Sequence, residues 1–566
     1  MSENVCRKVA SRFLESRNRR CDTNALHLVN EKITTKDGTD INEYYVYNTP
    51  GQGFVIIAGD DSVMPVIGYS TEERFVYDGS MPNFQSWMNV WTKIIASNRS
   101  KGLNATAETK KEWDRYIADG TVRTEGDGLL LETALWNQGN PYNICCPKID
   151  GKQALTGCVA TAMGILMKYY EWPVAGYGTV PAYTCGSCSV PSVVLGKPYD
   201  WKNMPVSLSS KSTNTEKDAV STLLYHCGVI INAQYGLEDE GTSAYSEDIR
   251  GAMVKYMDYD KSAAFKYANM YTDAEWIEMV KNNIRNVGPL IYSGVNPTSG
   301  HQFLVTGYDS QDRFYINWGW GGVDNGYYAY PGIGEFTKEQ NAIFNLKKNC
   351  GGESSASIDL CHYDTSKKQG ITLSCAEIVK GIPFTATVEC FWNTGADTFN
   401  GELGIARVNS SNVVLEVIGS QRSGNLPPNN AIVKKDIPDC IINTDAEFGE
   451  KLMCVFRAHE DGEWSICRYD KSDKGLVGEI PLADPFSIDQ ATSLVYSVEG
   501  TLLISSKEGV ALKLIGSGGE DLSSAVSPRV NGWLINLAEL TPAEYILQLS
   551  KNKEFKEIAI KMGLKK

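Results

Sequence analysis

One stretch restricts the folding of this chain more than any other: Leu155-Thr156-Gly157-Cys158-Val159-Ala160-Thr161-Ala162-Met163-Gly164-Ile165-Leu166-Met167-Lys168-Tyr169-Tyr170. Its bulky apolar residues, Val159, Met163, Leu166, Met167 and Tyr170, recur at helical spacing. Thr156 is placed to cap the helix and Trp172-Pro173 to stop it. The Cys158 sulfur then lies in the first turn, where backbone N–H groups lack partners and the helix dipole is positive. Such a setting stabilises a thiolate, so the expected pKa is lowered and the nucleophilic form is populated near neutral pH. Read alone, a cysteine in an apolar helix is a small buried hydrophobe. Leu-Thr-Gly-Cys also has the form of a lipid-attachment box, but that box closes an N-terminal signal peptide and here the cysteine is residue 158. A nucleophilic role therefore turns on whether a base is available.

Five histidines are present, and His301 stands out by context. Gly300-His301-Gln302-Phe303-Leu304-Val305-Thr306-Gly307-Tyr308 reads as a strand, Asp309-Ser310-Gln311-Asp312 as a turn, and Arg313 to Gly322 as the return strand. In such a hairpin Asn317 can accept the ring N–H and fix the imidazole tautomer, while Trp318 shields that bond from water. A structural strand histidine is the competing reading for His301 alone.

Thr156-Gly157-Cys158-Val159-Ala160-Thr161-Ala162, Gly300-His301-Gln302-Phe303 and Asn317-Trp318-Gly319-Trp320-Gly321-Gly322 together resemble the streptopain family of secreted bacterial cysteine proteases, which has a papain-like fold. The likeness runs from about Val46 to Leu346. It implies that Cys158 is the nucleophile, His301 the general acid/base, and Asn317 with Trp318 the supports of the imidazole. Trp136-Asn137-Gln138-Gly139-Asn140-Pro141-Tyr142-Asn143 resembles a further family segment, which implies that Gln138 donates to the oxyanion beside the Cys158 N–H. The Glu240-Gly241-Thr242-Ser243-Ala244 loop is similar to the family's wall of the subsite two residues before the cut. Small Ser243 and Ala244 leave room there for an apolar side chain, and Gly300 lets the substrate backbone approach.

Composition bounds the remaining possibilities. A chain of 566 residues holds three or four domains, and 42% hydrophobic with 22% charged residues is ordinary for a globular protein. The net charge of −14 argues against nucleic-acid or anionic-membrane partners. No apolar run is long enough to span a bilayer. Met1-Ser2-Glu3-Asn4 has no signal-peptide core, and under the family resemblance the export signal is expected to have been trimmed. The expected location is secreted or on the surface of a bacterium. Fifteen cysteines are too dispersed for a small disulfide scaffold, and Cys185-Gly186-Ser187-Cys188 lacks a second pair or a histidine to complete a metal site. No metal or organic cofactor is implied.

The expected architecture is multidomain α+β. Residues 1–120 form an α+β unit, with helices over Cys6 to Arg17 and Phe84 to Ser97 and strands at Tyr44-Tyr45-Val46-Tyr47, Gly53 to Gly59 and Pro65 to Ser70. The resemblance implies that this unit is an inhibitory prodomain, an intramolecular partner of the protease. Residues 118–128 are polar and glycine-rich, as nicking sites are; the resemblance implies an apolar residue two positions before the cut, which Val122 supplies, so cleavage is expected after Arg123. Residues 121–348 are expected to be a papain-like domain with a helical half and an antiparallel β half. Two all-β sandwiches follow, immunoglobulin-like at 349–485 and a second at 486–566. The second resembles the C-terminal modules of Bacteroidetes-type exported enzymes, some of which direct secretion or surface attachment; a spacer or stability module is the alternative. The whole reads as an endopeptidase zymogen acting on protein or peptide substrates. Another papain-fold acyl transfer, or a surface adhesin whose papain-like part is a scaffold, are the alternatives.

Overall fold

The computed structural model describes residues 1–561 except 18, 20–21, 30–41, 77–81, 119–127, 187, 297–298, 332–339, 352–356, 363–369, 376–377, 379–380, 445, 447–449, 471–478, 483–491, 497–500, 507–509, 530–531, 537–539, 541–543 and 552–553. Among these residues the chain is mixed α+β up to about residue 348 and all-β beyond it, apart from one short 3-10 turn.

Seven helices are present among the described residues: α1 (Glu3–Ser16), α2 (Pro82–Ser100), α3 (Ala107–Ile117), α4 (Cys158–Tyr170), α5 (Asn214–Ile230), α6 (Ser246–Tyr256) and α7 (Asp273–Asn286). Helices α5 and α7 open with capping boxes, Thr213 with Glu216 and Thr272 with Glu275, each satisfying otherwise unpaired N–H groups. Helix α3 was not anticipated. It is mostly charged; Tyr116 is buried against Phe13 of α1 and buried Trp113 donates Nε1–H to the Val63 carbonyl, tertiary contacts that local pattern does not report.

An eleven-stranded sheet carries the architecture. Its strands are β1 (His27–Leu28), β2 (Tyr44–Asn48), β3 (Phe54–Ala58), β4 (Val66–Ser70), β5 (Leu129–Leu130), β6 (Ala264–Tyr267), β7 (Leu290–Asn296), β8 (Ser299–Tyr308), β9 (Phe314–Asn317), β10 (Gly326–Tyr328) and β11 (Asn341–Phe344). The spatial order is β1-β2-β3-β4-β10-β9-β8-β7-β11-β6, with β5 paired to β8. The N-terminal strands thus join the later ones edge to edge, through Tyr69 opposite Tyr327 and Gly68 opposite Tyr328. Gly68 is required at this seam, because a Cβ there would stand 2.6 Å from the Tyr328 ring. Fusing the edges satisfies two rows of backbone groups that water would otherwise have to serve.

Two cores divide the first 348 residues. One lies between α1, α2, α3 and one face of the sheet, and the second surrounds α4 and α5 on the other face. The C-terminal β region packs two five-stranded sheets around Leu360, Phe391, Leu403, Ile405 and Leu452, followed by a four-stranded and a three-stranded sheet between Thr492 and Lys561.

The first of these β units is held against the α+β part by named contacts. Asp359 lies between Lys266, Arg468 and the Tyr271 hydroxyl, and the Trp392 ring packs 5.1 Å from that of Tyr267. Burial alone would raise the Asp359 pKa; Lys266 and Arg468 outweigh it and hold the carboxyl below its usual range. This unit meets the sheet at β6, the edge opposite the one that borders the N-terminal strands.

Candidate active site

Helix α4 begins at Cys158 itself. The capping position falls on Gly157, not on Thr156 as expected, and no side chain caps the helix. The reason is local: the Thr156 hydroxyl is engaged with the Thr161 hydroxyl at 2.8 Å and with the Gln138 carbonyl. Gly157 adopts φ +83°, and a Cβ there would stand 2.9 Å from Thr242 Cγ2 and 3.0 Å from the Thr242 carbonyl. The glycine before the cysteine is thus fixed by the wall it touches.

That wall is the 236–243 loop. The Thr242 hydroxyl donates to the Leu155 carbonyl at 2.8 Å, and the Leu155 N–H donates to the Gly236 carbonyl at 3.0 Å. Ser243 pairs through its backbone with Gln234, and Ala244 packs against the core that holds α4. On the other side the Thr156 N–H donates to the Gln138 carbonyl at 3.1 Å, which places buried Gln138 beside the approach to Cys158.

The Cys158 Sγ accepts the backbone N–H of Gln302 at 3.5 Å. His301 is the residue before Gln302 on β8, opposite Gly294 of β7 in register. A sulfur at the head of a helix and the backbone that carries an imidazole are therefore neighbours, although 144 positions separate Cys158 from Gln302. The His301 Nε2 is buried with no hydrogen-bond partner among the described residues. Gly300, one residue earlier, lies opposite Val295. Gln302 is held in turn by its side chain, whose Oε1 accepts from the Ser246 hydroxyl at 2.6 Å at the start of α6.

Burial shifts both groups toward their neutral forms. Burial pushes the Cys158 thiol up, against the N–H groups of Gln302, Val159 and Cys158 itself, which pull it down. Burial also lowers the His301 pKa to about 4. The lowered thiol pKa expected from the helix start is therefore not present here, because desolvation outweighs the N-terminal donors.

Asn317 and Trp318 sit at the end of β9. Asn317 Nδ2 donates to Thr133 Oγ1 at 3.0 Å and to the Ala134 carbonyl at 2.9 Å, and its Oδ1 accepts the Gly319 N–H. These bonds tie the strand end to the 133–134 segment rather than to His301. Trp318 is fully buried, donates Nε1–H to the Asp324 carbonyl at 3.1 Å, and packs on Phe303, two residues beyond His301, at 5.0 Å.

Helix α2 closes this region from the N-terminal side. Phe84 and Trp87 meet the Trp318 ring at 5.7 and 6.3 Å, and Trp87 also meets Phe303 at 6.0 Å. Sequence reasoning read these aromatics as a helix face without their target. Gln302 was missed as well: its contribution is a backbone N–H, which leaves no residue signature. Arg123 lies outside the described residues.

Residues 136–328 match the Peptidase C10 family, and residues 1–95 match the Spi protease inhibitor family. The chain belongs to the Peptidase C10 family. It is 28% identical over 332 residues to streptopain of Streptococcus pyogenes, a match covering 54% of this chain and 80% of that protein. It is 29% identical over 290 residues to the thiol protease/hemagglutinin PrtT of Porphyromonas gingivalis, covering 50% of this chain but only 33% of PrtT. Interpain A of Prevotella intermedia has been solved as the active cysteine protease, with 34% identity over 39% of this chain and 95% of that one at a TM-score of 0.36. A prointerpain A fragment is 28% identical, covering 58% of this chain and all of that one at a TM-score of 0.47. In this C10 chain an inhibitor-like N-terminal region and a cysteine-protease region thus share one sheet.

Proposed function

We propose that this chain is the zymogen of a secreted bacterial cysteine endopeptidase, with residues 1–120 as prodomain, 121–348 as catalytic domain, and β modules at 349–485 and 486–566. The observation that carries the reading is the Cys158 sulfur at the head of α4, bonded to the N–H of the residue after His301. Cys158 attacks the scissile carbonyl as a thiolate, its proton having passed to His301. The oxyanion is met by the Cys158 N–H and the Gln138 side chain. His301 then gives its proton to the leaving amine, and water activated by the same imidazole hydrolyses the acyl-enzyme. Ser243, Ala244 and Gly300 line the substrate path. Asn317 and Trp318 position the strand that carries His301, through Thr133, Ala134 and Phe303.

The neutral thiol and neutral imidazole fit a latent state, with α2 seated on Trp318 and Phe303. Cleavage in the 119–133 stretch, after Arg123 in this reading, releases α1–α3 with β1–β4 and lets the two groups form an ion pair. The sheet edge at β10 opens at the same time.

Casein digestion tests the reading. Self-processed wild-type protein is expected to digest casein, Cys158→Ala to neither digest nor self-process, and His301→Ala to lose nearly all activity. N-terminal sequencing of the processed protein locates the cut. Full activity of either variant removes the assignment, and a mature start outside residues 119–133 removes the cleavage site.

A further inference from the structure

Helix α6 starts without a side-chain cap, unlike α5 and α7. Its first residue has its hydroxyl engaged elsewhere: Ser246 donates to Gln302 Oε1 at 2.6 Å. Gln302 is 2% exposed, so its amide oxygen has no water to turn to if that hydroxyl moves. The backbone N–H of the same Gln302 reaches the Cys158 sulfur. Where α6 begins therefore decides how Gln302 sits against the thiol. An uncapped first turn frays unless tertiary contacts hold it.

Those contacts come from two sides. Within the protease region the Tyr267 hydroxyl donates to the Glu247 carboxylate at 2.8 Å, and Arg250 donates to the Ala263 and Lys261 carbonyls at 2.9 Å each. The first β unit supplies the others. Its Ala396 carbonyl accepts from Arg250 at 2.5 Å, its Asn429 Nδ2 donates to the Glu247 carbonyl at 3.4 Å, and its Trp392 backs the Tyr267 ring. These three groups belong to one rigid face. Buried Asn393 donates to the Asp397 and Leu426 carbonyls at 2.7 and 3.0 Å, and its backbone bonds Asn429 and Asn430, which locks the two turns together. The N–H groups of Thr394 and Gly395 bond the Asp359 carbonyl, joining that face to the ion cluster with Lys266 and Arg468.

We propose that the first β unit is a working part of the protease: it fixes the start of α6, and Ser246 passes that position to Gln302 and the sulfur it bonds. Ser246 is a positioning residue, and Asn429 and Trp392 are the side chains through which the β unit acts. The proposal rests on the protease reading above and gives the unit a role in the reaction that a spacer lacks.

The test uses self-processed protein with its β units attached, one peptide substrate and an epoxysuccinyl inhibitor. Ser246→Ala is expected to lower kcat and the rate of Cys158 labelling about tenfold with KM within about twofold, and Ser246→Thr, which keeps the hydroxyl, to retain most of both. Asn429→Ala combined with Trp392→Ala is expected to lower the same two quantities about fivefold. Where that pair melts early, Asn429→Ala alone is read in the same way, at about twofold. Added to Ser246→Ala, the β-unit variant should cost no more than about a further twofold, because both act through one contact. Wild-type kcat in Ser246→Ala or in the β-unit variant, a change in KM alone, or fully multiplicative losses on combination would overturn the proposal while leaving the protease intact. Wild-type protein that cleaves no peptide and takes no label on Cys158 would overturn both.

Discussion

Arg17 at the end of α1 and Asp309 at the end of β8 meet at 2.8 Å, although 292 positions separate them and both side chains are almost completely buried. Arg313 reaches the same Asp309 oxygen at 2.9 Å, and the Tyr69 hydroxyl donates to it at 3.2 Å. Burial by itself would raise the Asp309 pKa, but Arg313 and Arg17 prevail and hold the carboxyl below its ordinary range. The Phe13 and Tyr69 rings flank both guanidinium groups at 5.0–5.7 Å. The inhibitor-like region is thus anchored to the protease region by charge as well as by the shared strand edge.

Arg17→Met leaves Asp309 with Arg313 as its one guanidinium partner. Breaking one arm of a buried ion cluster is expected to cost about 1–3 kcal/mol, less than removing an isolated pair. In a Cys158→Ala background the loss is read by urea unfolding. With Cys158 intact, self-processing is expected to begin sooner, followed by gel time course. An unchanged lag would mean that the sheet seam and α2 alone maintain latency.

Acid should loosen the latent form. Burial lowers both His301 and His226 to about 4, below the ordinary 6.5 of an unfolded chain. Between those values the unfolded state binds protons that the folded state refuses. Stability from this source is therefore complete above pH 6.5 and is lost as pH falls toward 4, on the order of 1–3 kcal/mol for each group. Asp309 and Asp359 act in a lower window, because their depressed carboxyls keep their charge until pH falls below the ordinary carboxylate range. Unfolding of the Cys158→Ala protein is expected to be easier at pH 5 than at pH 7. His301→Gln should reduce that difference, while a pH-independent midpoint would contradict the neutral, buried imidazole.

Gly157→Ala forces a Cβ against Thr242 and strains a positive φ. The loop, the head of α4 and the Cys158 N–H must shift together. A loss of kcat/KM of about tenfold or more is expected in processed protein that still melts cooperatively, measured with a single peptide substrate.

Asp359→Ala strands Lys266 and Arg468 in a half-dry interface. A cost of about 2–4 kcal/mol to the docking of the first β unit is expected, seen as early nicking near residue 350 under limited proteolysis. Digestion at the wild-type rate would indicate that the unit is tethered rather than docked.

How much of this was legible beforehand follows from what each feature depends on. Helix α4 and the strands around His301 announced themselves through periodicity and turn residues, because local pattern determines them. The Cys158 and His301 motifs stood out because small residues and glycines are imposed by close contacts, as at Gly157 against Thr242. Relations between distant segments left no such trace. Arg17 is one arginine among many until Asp309 is beside it, and the fusion of β4 with β10 appears only once Tyr69 pairs with Tyr327 and Gly68 with Tyr328. The thiol pKa was misjudged for the same reason: the helix start is local, whereas the burial that outweighs it comes from the fold.

Mass-spectrometric mapping of an epoxysuccinyl inhibitor on processed protein decides the account. The chain has fifteen cysteines, and all fourteen that are described are free thiols, so labelling can discriminate. The account expects one equivalent of label on Cys158, loss of casein digestion in step with labelling, and little or no label on the unprocessed form. Label on another cysteine with digestion intact, or Cys158 unreactive in protein that digests casein, would contradict it.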